Sequence, residues 1–201
     1  VFQIAAHEKY FGLERLYDIC KIARYEILVG KNEVGRVIAR PFIGEPVSFK
    51  RTTNRKDYSV SPFSDTILDY LKKEGINTIA IGKINDLFNY KGIVTQVVSK
   101  SNDEGIIRVI DSLNNNNNSL IFVNLVDFDV YYGHRNDPVG FYKALIEFDN
   151  RLPEILNSMD ESDRLVITAD HGNDPTSKST DHSREYTPLL YYAKNKSGID
   201  L

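Results

Sequence analysis

Residues 120–129 read LIFVNLVDFD, an apolar run as long as one strand that leads directly into carboxylates. The run Leu120–Val126 is apolar on both faces, which is typical of a strand buried in a parallel sheet. A second short apolar run, Leu165–Thr168, is also predicted to be a buried strand, and it is closely followed by Asp170 and His171. In open α/β sheets, ligands bind beyond the carboxyl ends of the strands. These two runs therefore predict a sheet whose edge carries a functional site.

Helices and strands alternate along the rest of the chain, on both sides of these runs. Apolar residues at helical spacing predict helices over residues 13–29, 66–74, 103–113 and 138–159. Short apolar or alternating stretches predict strands over residues 34–40, 78–81, 120–126, 165–168 and 189–192. Such alternation predicts an α/β fold, layered around a mainly parallel sheet.

Individual residues are expected to begin, bend or interrupt these elements. Asp65 is expected to cap the amino-terminal end of the second helix. Asp137 and Pro138 are expected to begin the last helix, and Pro153 to kink or break it. The weakly patterned residues 41–62 are expected to form a loop or hinge.

The composition is that of an ordinary globular protein and excludes several classes of function. The chain has 201 residues, of which 41% are hydrophobic and 26% are charged. A net charge of −3 leaves no basic footprint for nucleic acid, and no apolar run is long enough to cross a bilayer. We find no secretory signal sequence, and the single cysteine, Cys20, is expected in the core. These features together indicate the cytoplasm, with no nucleic-acid or membrane partner.

Three of the four histidines lie in short polar segments, each with carboxylates close by: His134, His171 and His182. Imidazole suits zinc and manganese, and carboxylate suits manganese and magnesium. A mixed set of this kind on a rigid sheet edge can hold two metal ions for phosphoryl transfer. The alternative is that Asp and His after strands are turn residues or helix caps. Three such segments in succession favour the metal site.

The segments TADHGNDP (residues 168–175) and TDHSRE (residues 180–185) resemble the metal-binding end of the alkaline phosphatase superfamily. The resemblance is to its phosphopentomutase branch in particular, and residues 124–135 resemble the second-metal segment of the same branch. Three earlier stretches agree with it: VFQIAAHE (residues 1–8), GRVIARPF (residues 35–42) and RTTNRKDY (residues 51–58). The Asp-His-Gly element alone would identify only the superfamily. Together the segments extend the resemblance over nearly the whole chain, which implies an alkaline-phosphatase-like core and part of an α/β cap domain.

The resemblance also implies the metal ligands and the metal. Asp170 and His171 would bind one manganese ion. The other ion would be bound by Asp129, His134 and His182. A complete subunit would hold two Mn²⁺ ions, although ligands of this chemistry would also tolerate zinc or magnesium.

Further residues are assigned by the same resemblance. Arg36 and Ile38 match positions where the cap domain of the family meets the sugar phosphate, and a guanidinium suits phosphate because it can donate two parallel hydrogen bonds. Asp127 is left out of the ligand set, and His7 is interpreted as a structural residue or as a neighbour of the metal ligands. Weaker candidates for substrate contacts are Arg51, Arg55 and Lys83.

The implied activity is that of an isomerase. Members of this branch interconvert ribose 1-phosphate and ribose 5-phosphate, or the deoxyribose equivalents, through a phosphorylated threonine, with a sugar bisphosphate as activator and a role in nucleoside and pentose salvage. No threonine of this chain, Thr168 included, matches the nucleophile, which we expect upstream of Val1. The chain is thus expected to be an internal piece, inactive by itself. Its residues 1–60 would belong to the cap domain and residues 61–201 to the catalytic core.

Other readings of the same residues stay open at this point. Within the superfamily, the chain could belong to a cofactor-independent phosphoglycerate mutase or a metal-dependent phosphatase. In a different class, it could be a metal-binding protein that has lost catalysis. The sequence leaves open the preference for ribose or deoxyribose, the activating bisphosphate and the oligomeric state.

Overall fold

A four-stranded sheet lies at the centre of the first of two units in the computed structural model, which describes residues 1–196 and residue 198. This unit comprises Val1–Glu74 and Asn85–Ile93. Its strands are β1 (Phe2–His7), β2 (Arg36–Ile43), β3 (Lys50–Arg51) and β4 (Lys56–Ser59). β1 pairs with β2 in parallel, whereas β3 and β4 pair with β2 antiparallel. Every other strand of the sheet therefore pairs with β2.

The strands β3 and β4 lie inside residues 41–62, so the prediction of a loop or hinge there is wrong. β4 has the sequence KDYS, which shows no apolar alternation. Its register with β2 sets Tyr58 opposite Val37 and buries both side chains. Strand formation depends strongly on the neighbouring strand, and that information is absent from the four residues themselves.

The helix α2 (Leu13–Ile22) packs against this sheet and forms the core of the first unit. Leu16 and Cys20 lie on one face of the helix and join Val37 and Ala39, alternate residues of β2, in one cluster. None of these four side chains is more than 1% exposed. The predicted core position of Cys20 is confirmed, and burial raises the pKa of its thiol.

The helix predicted over residues 13–29 is α-helical only as far as Ile22 and continues as a π-helix, Ala23–Ile27. Arg24 lies in this wider turn and is only 4% exposed. Its guanidinium donates to the carbonyl oxygens of Val34 and Leu28 at 2.5 and 2.9 Å. It also donates to the carboxylate of Glu33 at 3.5 Å, so the change of helix type occurs at a buried charge that has both backbone and carboxylate partners.

The remaining helices of this part of the chain are short: α1 (Glu8–Phe11), α3 (Ile67–Lys73) and α4 (Ile84–Leu87). Thr66 caps α3, so the prediction of Asp65 as its cap is wrong. The carboxylate of Asp69 accepts hydrogen bonds from the backbone amide and hydroxyl of Thr66 at 2.7 and 2.9 Å, which completes a capping box. Asp65 pairs instead with Lys73 at 2.5 Å.

The second unit comprises Gly75–Ile84 and the residues from Val94 onward, and it contains the parallel sheet. Its strands β5 (Asn77–Ile81), β6 (Thr95–Val97) and β7 (Ser119–Val123) are arranged with β5 in the middle. α5 (Asn102–Asn115) and α6 (Pro138–Ser158) supply the apolar side chains that pack with β5. The core there consists of Ile79, Ile81, Ile106, Val109 and Ile155. The parallel pairing of three strands agrees with the predicted α/β fold.

The helix α6 begins as predicted and does not end at its internal proline. The side chain of Asp137 accepts from the amide of Gly140 at 2.9 Å, and Pro138 occupies the first turn. The helix then continues through Pro153 to Ser158. Burial of Ile155 in the core supports the turn that follows the proline. Among the described residues, no helix has both the length and the apolar character needed to span a membrane.

The strands β8 (Leu165–Thr168) and β9 (Leu189–Tyr192) form a separate antiparallel ribbon. The prediction that β8 is a buried strand is wrong, because Val166 is 54% exposed. All four residues of its partner β9 are exposed as well. β7 was likewise predicted as buried, but it lies at the edge of its sheet and is only half-buried. An apolar run predicts a strand well, whereas its burial depends on which elements cover it.

Candidate metal centre

The first of the polar segments follows β7, where the chain forms a π-helix, Phe128–Tyr132, and then a 3-10 turn, Gly133–Arg135. Asp129 lies in the π-helix, and His134 lies in the 3-10 turn. The two side chains meet, with His134 Nε2 at 3.2 Å from Asp129 Oδ2. Irregular helical turns of this kind are frequent at functional sites.

The second and third segments are joined by their backbones. Gly172 and Ser183 form an isolated antiparallel bridge, in which the Ser183 amide donates to the Gly172 carbonyl at 3.1 Å. The bridge brings together the residues beside it, His171 and His182. Their rings stack with centroids 3.5 Å apart and planes inclined by 17°. Gly172 is buried, and a β-carbon there would lie 2.8 Å from the backbone oxygen of Ser183.

The carboxylate of Asp129 is the point at which the three segments converge. His182 Nε2 lies 3.4 Å from Asp129 Oδ1, on the other oxygen from the one that faces His134. One ligand atom each from Asp129, His171 and His182 can be chosen so that all three lie within 4.8 Å of one another. These three side chains are 30–47% exposed, so the cluster is open to a ligand from solvent.

Asp170 is the member of the predicted set that stands apart. Its Oδ2 lies 3.6 Å from His171 Nε2, and its side chain is 71% exposed. His134 and His182 thus both face the carboxylate of Asp129. His171 stacks on His182 and is also the neighbour of Asp170.

His134 is held with one nitrogen directed towards the cluster. Its Nδ1 lies 2.5 Å from the carbonyl oxygen of Thr180, which requires the proton to sit on Nδ1. In the neutral imidazole Nε2 is then the nitrogen that can bind a metal, and it faces Asp129. Asn136 restrains the same loop, since its amide donates to the carbonyl oxygens of Ser177 and Ser179 at 2.6 and 3.0 Å.

Asn173 contacts the cluster but was not predicted to belong to it. Its Nδ2 donates to Asp129 Oδ1 at 2.6 Å. Asn173 lies within the segment TADHGNDP, yet a loop asparagine carries no signal that separates this contact from an ordinary turn. The next residue, Asp174, has such a turn role: bonds from the hydroxyl and amide of Thr176 lower the pKa of its carboxyl.

Asp127 and His7 both have partners of their own. Asp127 Oδ2 accepts from the backbone amide of Asn102 at 2.7 Å, at the start of α5. In the first unit, His7 caps α1 by accepting from the amide of Lys9, and its other ring nitrogen lies 2.9 Å from the carbonyl oxygen of Gly44.

The predicted substrate contacts lie on β2 of the first unit. Arg36 Nη1 is 3.3 Å from Asp57 Oδ2, and Arg55 binds the same carboxylate at 2.7 Å. Ile38 is only 3% exposed, so its side chain serves packing. Of the weaker candidates, Arg55 is committed to Asp57, while Arg51 on β3 and Lys83 after β5 are exposed.

Arg40 adds an unexpected feature on the same strand. Its Nε is buried and finds no hydrogen-bond partner among the described residues. Burial and the nearby charges of Arg55 and Arg51 lower the pKa of Arg40. The positive charges of Arg51 and Arg55 thus act on Arg40, and the carboxylate of Asp57 partly offsets them.

The cluster around Asp129 fits a divalent metal ion. Nitrogen and carboxylate ligands lie about 2.0–2.2 Å from such an ion, so any two of them lie within about 4.4 Å of each other. The ligand atoms of Asp129, His171 and His182 lie within 4.8 Å of one another, slightly more than this limit, and this set contains His171 in place of His134. Two imidazoles and a carboxylate are suitable ligands for zinc or manganese.

Comparison with known proteins agrees with this chemistry. The family model of the metalloenzyme superfamily matches residues 8–200, and the chain belongs to this superfamily. Among curated proteins, it is 55% identical to the phosphopentomutase of Clostridium kluyveri over 202 residues, which cover 100% of this chain and 52% of the relative. The phosphopentomutases of Clostridioides difficile and Caldanaerobacter subterraneus are also 55% identical, with 52% and 51% of their lengths covered. The chain therefore spans about half the length of the curated relatives it matches.

A solved structure supports the fold. The PH0037 protein from Pyrococcus horikoshii superimposes with a TM-score of 0.54 at 14% identity. The superposition covers 77% of this chain and 48% of that chain. Together with the superfamily match, this confirms the predicted α/β, alkaline-phosphatase-like fold class.

Proposed function

We propose that this chain is the metal-binding part of a phosphopentomutase, an isomerase that interconverts ribose 1-phosphate and ribose 5-phosphate or their deoxyribose equivalents. The observation that carries the proposal is the convergence of three polar segments on the carboxylate of Asp129. The 55% identity to curated phosphopentomutases across the whole chain supports this substrate class over phosphoglycerate or general phosphate esters.

We assign the ligands in two groups. Asp129, His134 and His182 would hold one ion, since both imidazoles face the two oxygens of that carboxylate. Asp170 and His171 would contribute to the other. Manganese is the proposed metal, with two ions in the complete enzyme. When bound, such ions offset the negative charge of a transferring phosphoryl group and favour ionisation of its acceptor.

The chain's own residues would keep these ligands in position. The Thr180 carbonyl fixes the proton of His134 on Nδ1 and leaves Nε2 free for the metal. The bridge between Gly172 and Ser183 holds the His171 and His182 rings together. Placement of this kind matters because metal–ligand distances in protein sites lie within about 0.2 Å of their typical values.

In the first unit, we propose that Arg36 contributes to binding the phosphate of a pentose phosphate. It is one-third exposed and shares Asp57 with Arg55, so a phosphate could replace that carboxylate as its partner. Ile38 would support the site through the packing of its buried side chain. We assign residues 1–60 to the cap domain and residues 61–201 to the catalytic core, while residues 61–74 and 85–93 belong to the first unit in the structure.

The rest of the proposal concerns the enzyme as a whole. Turnover would proceed through a phosphorylated threonine primed by a sugar bisphosphate, in the cytoplasm, during nucleoside and pentose salvage. No threonine of this chain matches that nucleophile, and the curated relatives are about twice as long. We therefore expect this chain by itself to bind metal without mutase turnover.

The first experiment is a Mn²⁺-dependent mutase assay on the polypeptide encoded by the whole gene, with ribose 1-phosphate as substrate. His182→Ala is compared with His7→Asn, which removes an imidazole from the first unit but keeps a side chain suited to a helix cap. We expect His182→Ala to abolish turnover and His7→Asn to retain it. Turnover of phosphoglycerate, or none of ribose 1-phosphate, would refute the proposed substrate. Full activity of His182→Ala would refute the ligand assignment.

A further inference from the structure

The side chain of Asn173 makes one contact that is directed at a proposed metal ligand. Its amide nitrogen donates to Asp129 Oδ1 at 2.6 Å, and the contact is partly buried. The same oxygen lies 3.4 Å from His182 Nε2. A carboxylate can rotate about its last torsion, and a hydrogen bond from a fixed amide removes that freedom. Asn173 thus restrains the orientation in which Asp129 presents its oxygens to the two histidines.

The amide reaches this position because residue 133 has no side chain. Gly133 is buried and has an ordinary right-handed helical backbone, with φ −61° and ψ −60°. Any L-residue can adopt that conformation, so backbone freedom does not explain the glycine. A β-carbon built at Gly133 would overlap the Asn173 amide and lie 2.6 Å from its Oδ1. The glycine provides the space that the amide occupies.

We propose that Asn173 is a positioning residue for the metal-binding carboxylate of Asp129, and that Gly133 makes room for it. This inference rests on the metal centre proposed above. Hydrogen bonds to metal-binding carboxylates typically change metal affinity by about 10–100-fold when they are removed. We expect the lower end of that range for Asn173→Ala, because Asp129 retains its contacts with His134 and His182.

The test measures Mn²⁺ affinity of the 201-residue chain by electron paramagnetic resonance of the free ion, together with the metal-free Tm. The variants are Asn173→Ala, Gly133→Ala, the double variant and Asp129→Ala. Asn115→Ala is the matched control, because its amide also binds a single oxygen, at 2.7 Å, but at the end of α5.

We expect Asn173→Ala to bind Mn²⁺ about tenfold more weakly at an unchanged metal-free Tm, and Asn115→Ala to bind like the wild type. Gly133→Ala should show the same loss although it keeps the amide. Adding Gly133→Ala to Asn173→Ala should cause no further loss, because the space is then free. Such non-additivity is the signature of two residues acting through one contact.

The outcomes separate the inference from the proposal beneath it. If the wild type fails to bind Mn²⁺, or Asp129→Ala binds as well as the wild type, the metal centre itself is refuted and the inference with it. If Asp129→Ala abolishes binding but Asn173→Ala leaves it unchanged, only the inference is refuted. A metal-free Tm that falls in Asn173→Ala, with unchanged Mn²⁺ affinity in Gly133→Ala, would assign the amide to folding and also overturn the inference.

Discussion

Gly172→Ala should weaken metal binding without altering a single ligand. Gly172 follows His171 and forms the backbone bridge to Ser183 that joins the two chain segments. An added β-carbon would lie 2.8 Å from both the Ser183 oxygen and the Glu185 nitrogen. Both atoms belong to the backbone, so neither can turn aside as a flexible side chain could.

The required displacement can be estimated from the structure. Ordinary contact of a β-carbon begins at 3.4 Å, so the two segments must separate by about 0.6 Å. His171 and His182 lie on opposite sides of the bridge and would move apart with it. Metal–ligand distances in protein sites lie within about 0.2 Å of their typical values, which is less than this separation, and we therefore expect Mn²⁺ affinity to fall by about tenfold or more. For an ion present at 100 times its Kd, a tenfold loss reduces the stabilisation by the metal from about 2.7 to about 1.4 kcal/mol.

The assay compares Tm with and without Mn²⁺ for the wild type, Gly172→Ala and Gly35→Ala. Gly35 is the matched control, because a β-carbon there meets nothing within 4 Å. The stabilisation lost in Gly172→Ala corresponds to a metal-induced Tm rise that is smaller by roughly 3–5 °C. If Gly172→Ala gained the full wild-type Tm rise from Mn²⁺, the view that the bridge sets the spacing of the two histidines would be refuted.

Three further predictions concern the first unit. Leu16→Ala should lower the free energy of unfolding by about 2–5 kcal/mol in urea titrations, because it leaves a cavity in the core; a change below this range would show that the site collapses. Hydrogen bonds from Thr66, chiefly from its backbone amide, lower the pKa of the Asp69 carboxyl in the folded protein. The stabilisation provided by the Asp69 carboxylate is therefore present above the pKa of the unfolded chain, and it is lost as the pH falls through the lower pKa of the folded protein. The Tm difference between the wild type and Asp69→Asn should therefore shrink from about pH 7 to about pH 3, and a constant difference would contradict that origin. Cys20 should react with a thiol reagent only as fast as the protein unfolds, since it is 0% exposed and burial raises its pKa; rapid labelling of the native protein would contradict the assigned core.

The sequence predicts the type of most elements but not what surrounds them. Apolar runs identified β5, β7 and β8 correctly as strands. Burial of Val166 was wrongly predicted, because the run says nothing about which elements pack over it. β4 was missed for the opposite reason, since its strand forms by pairing with β2 in spite of a polar sequence.

The candidate site likewise contains residues that the sequence can indicate and residues that it cannot. His134, His171 and His182 could be proposed as ligands from sequence because few other side chains bind metals, and the structure brings their segments together. Asn173 could not, because amide side chains are common in loops and its contact with Asp129 joins residues 44 positions apart. The role of Gly133 is even less visible, since it depends on an atom of Asn173.

Backbone carbonyl groups attach the loop that carries His182 to His134 and Asn136. The carbonyl groups are those of Ser177, Ser179 and Thr180. Every amino acid supplies the same carbonyl, so these attachments do not depend on the identity of the side chains in the loop. Over evolution these attachments constrain the number of residues between Asn173 and His182 more than their identity, although the turn at Asp174 and Thr176 depends on their side chains. Among homologues we expect this loop to vary in sequence but to conserve its length, a pattern that an alignment can test directly.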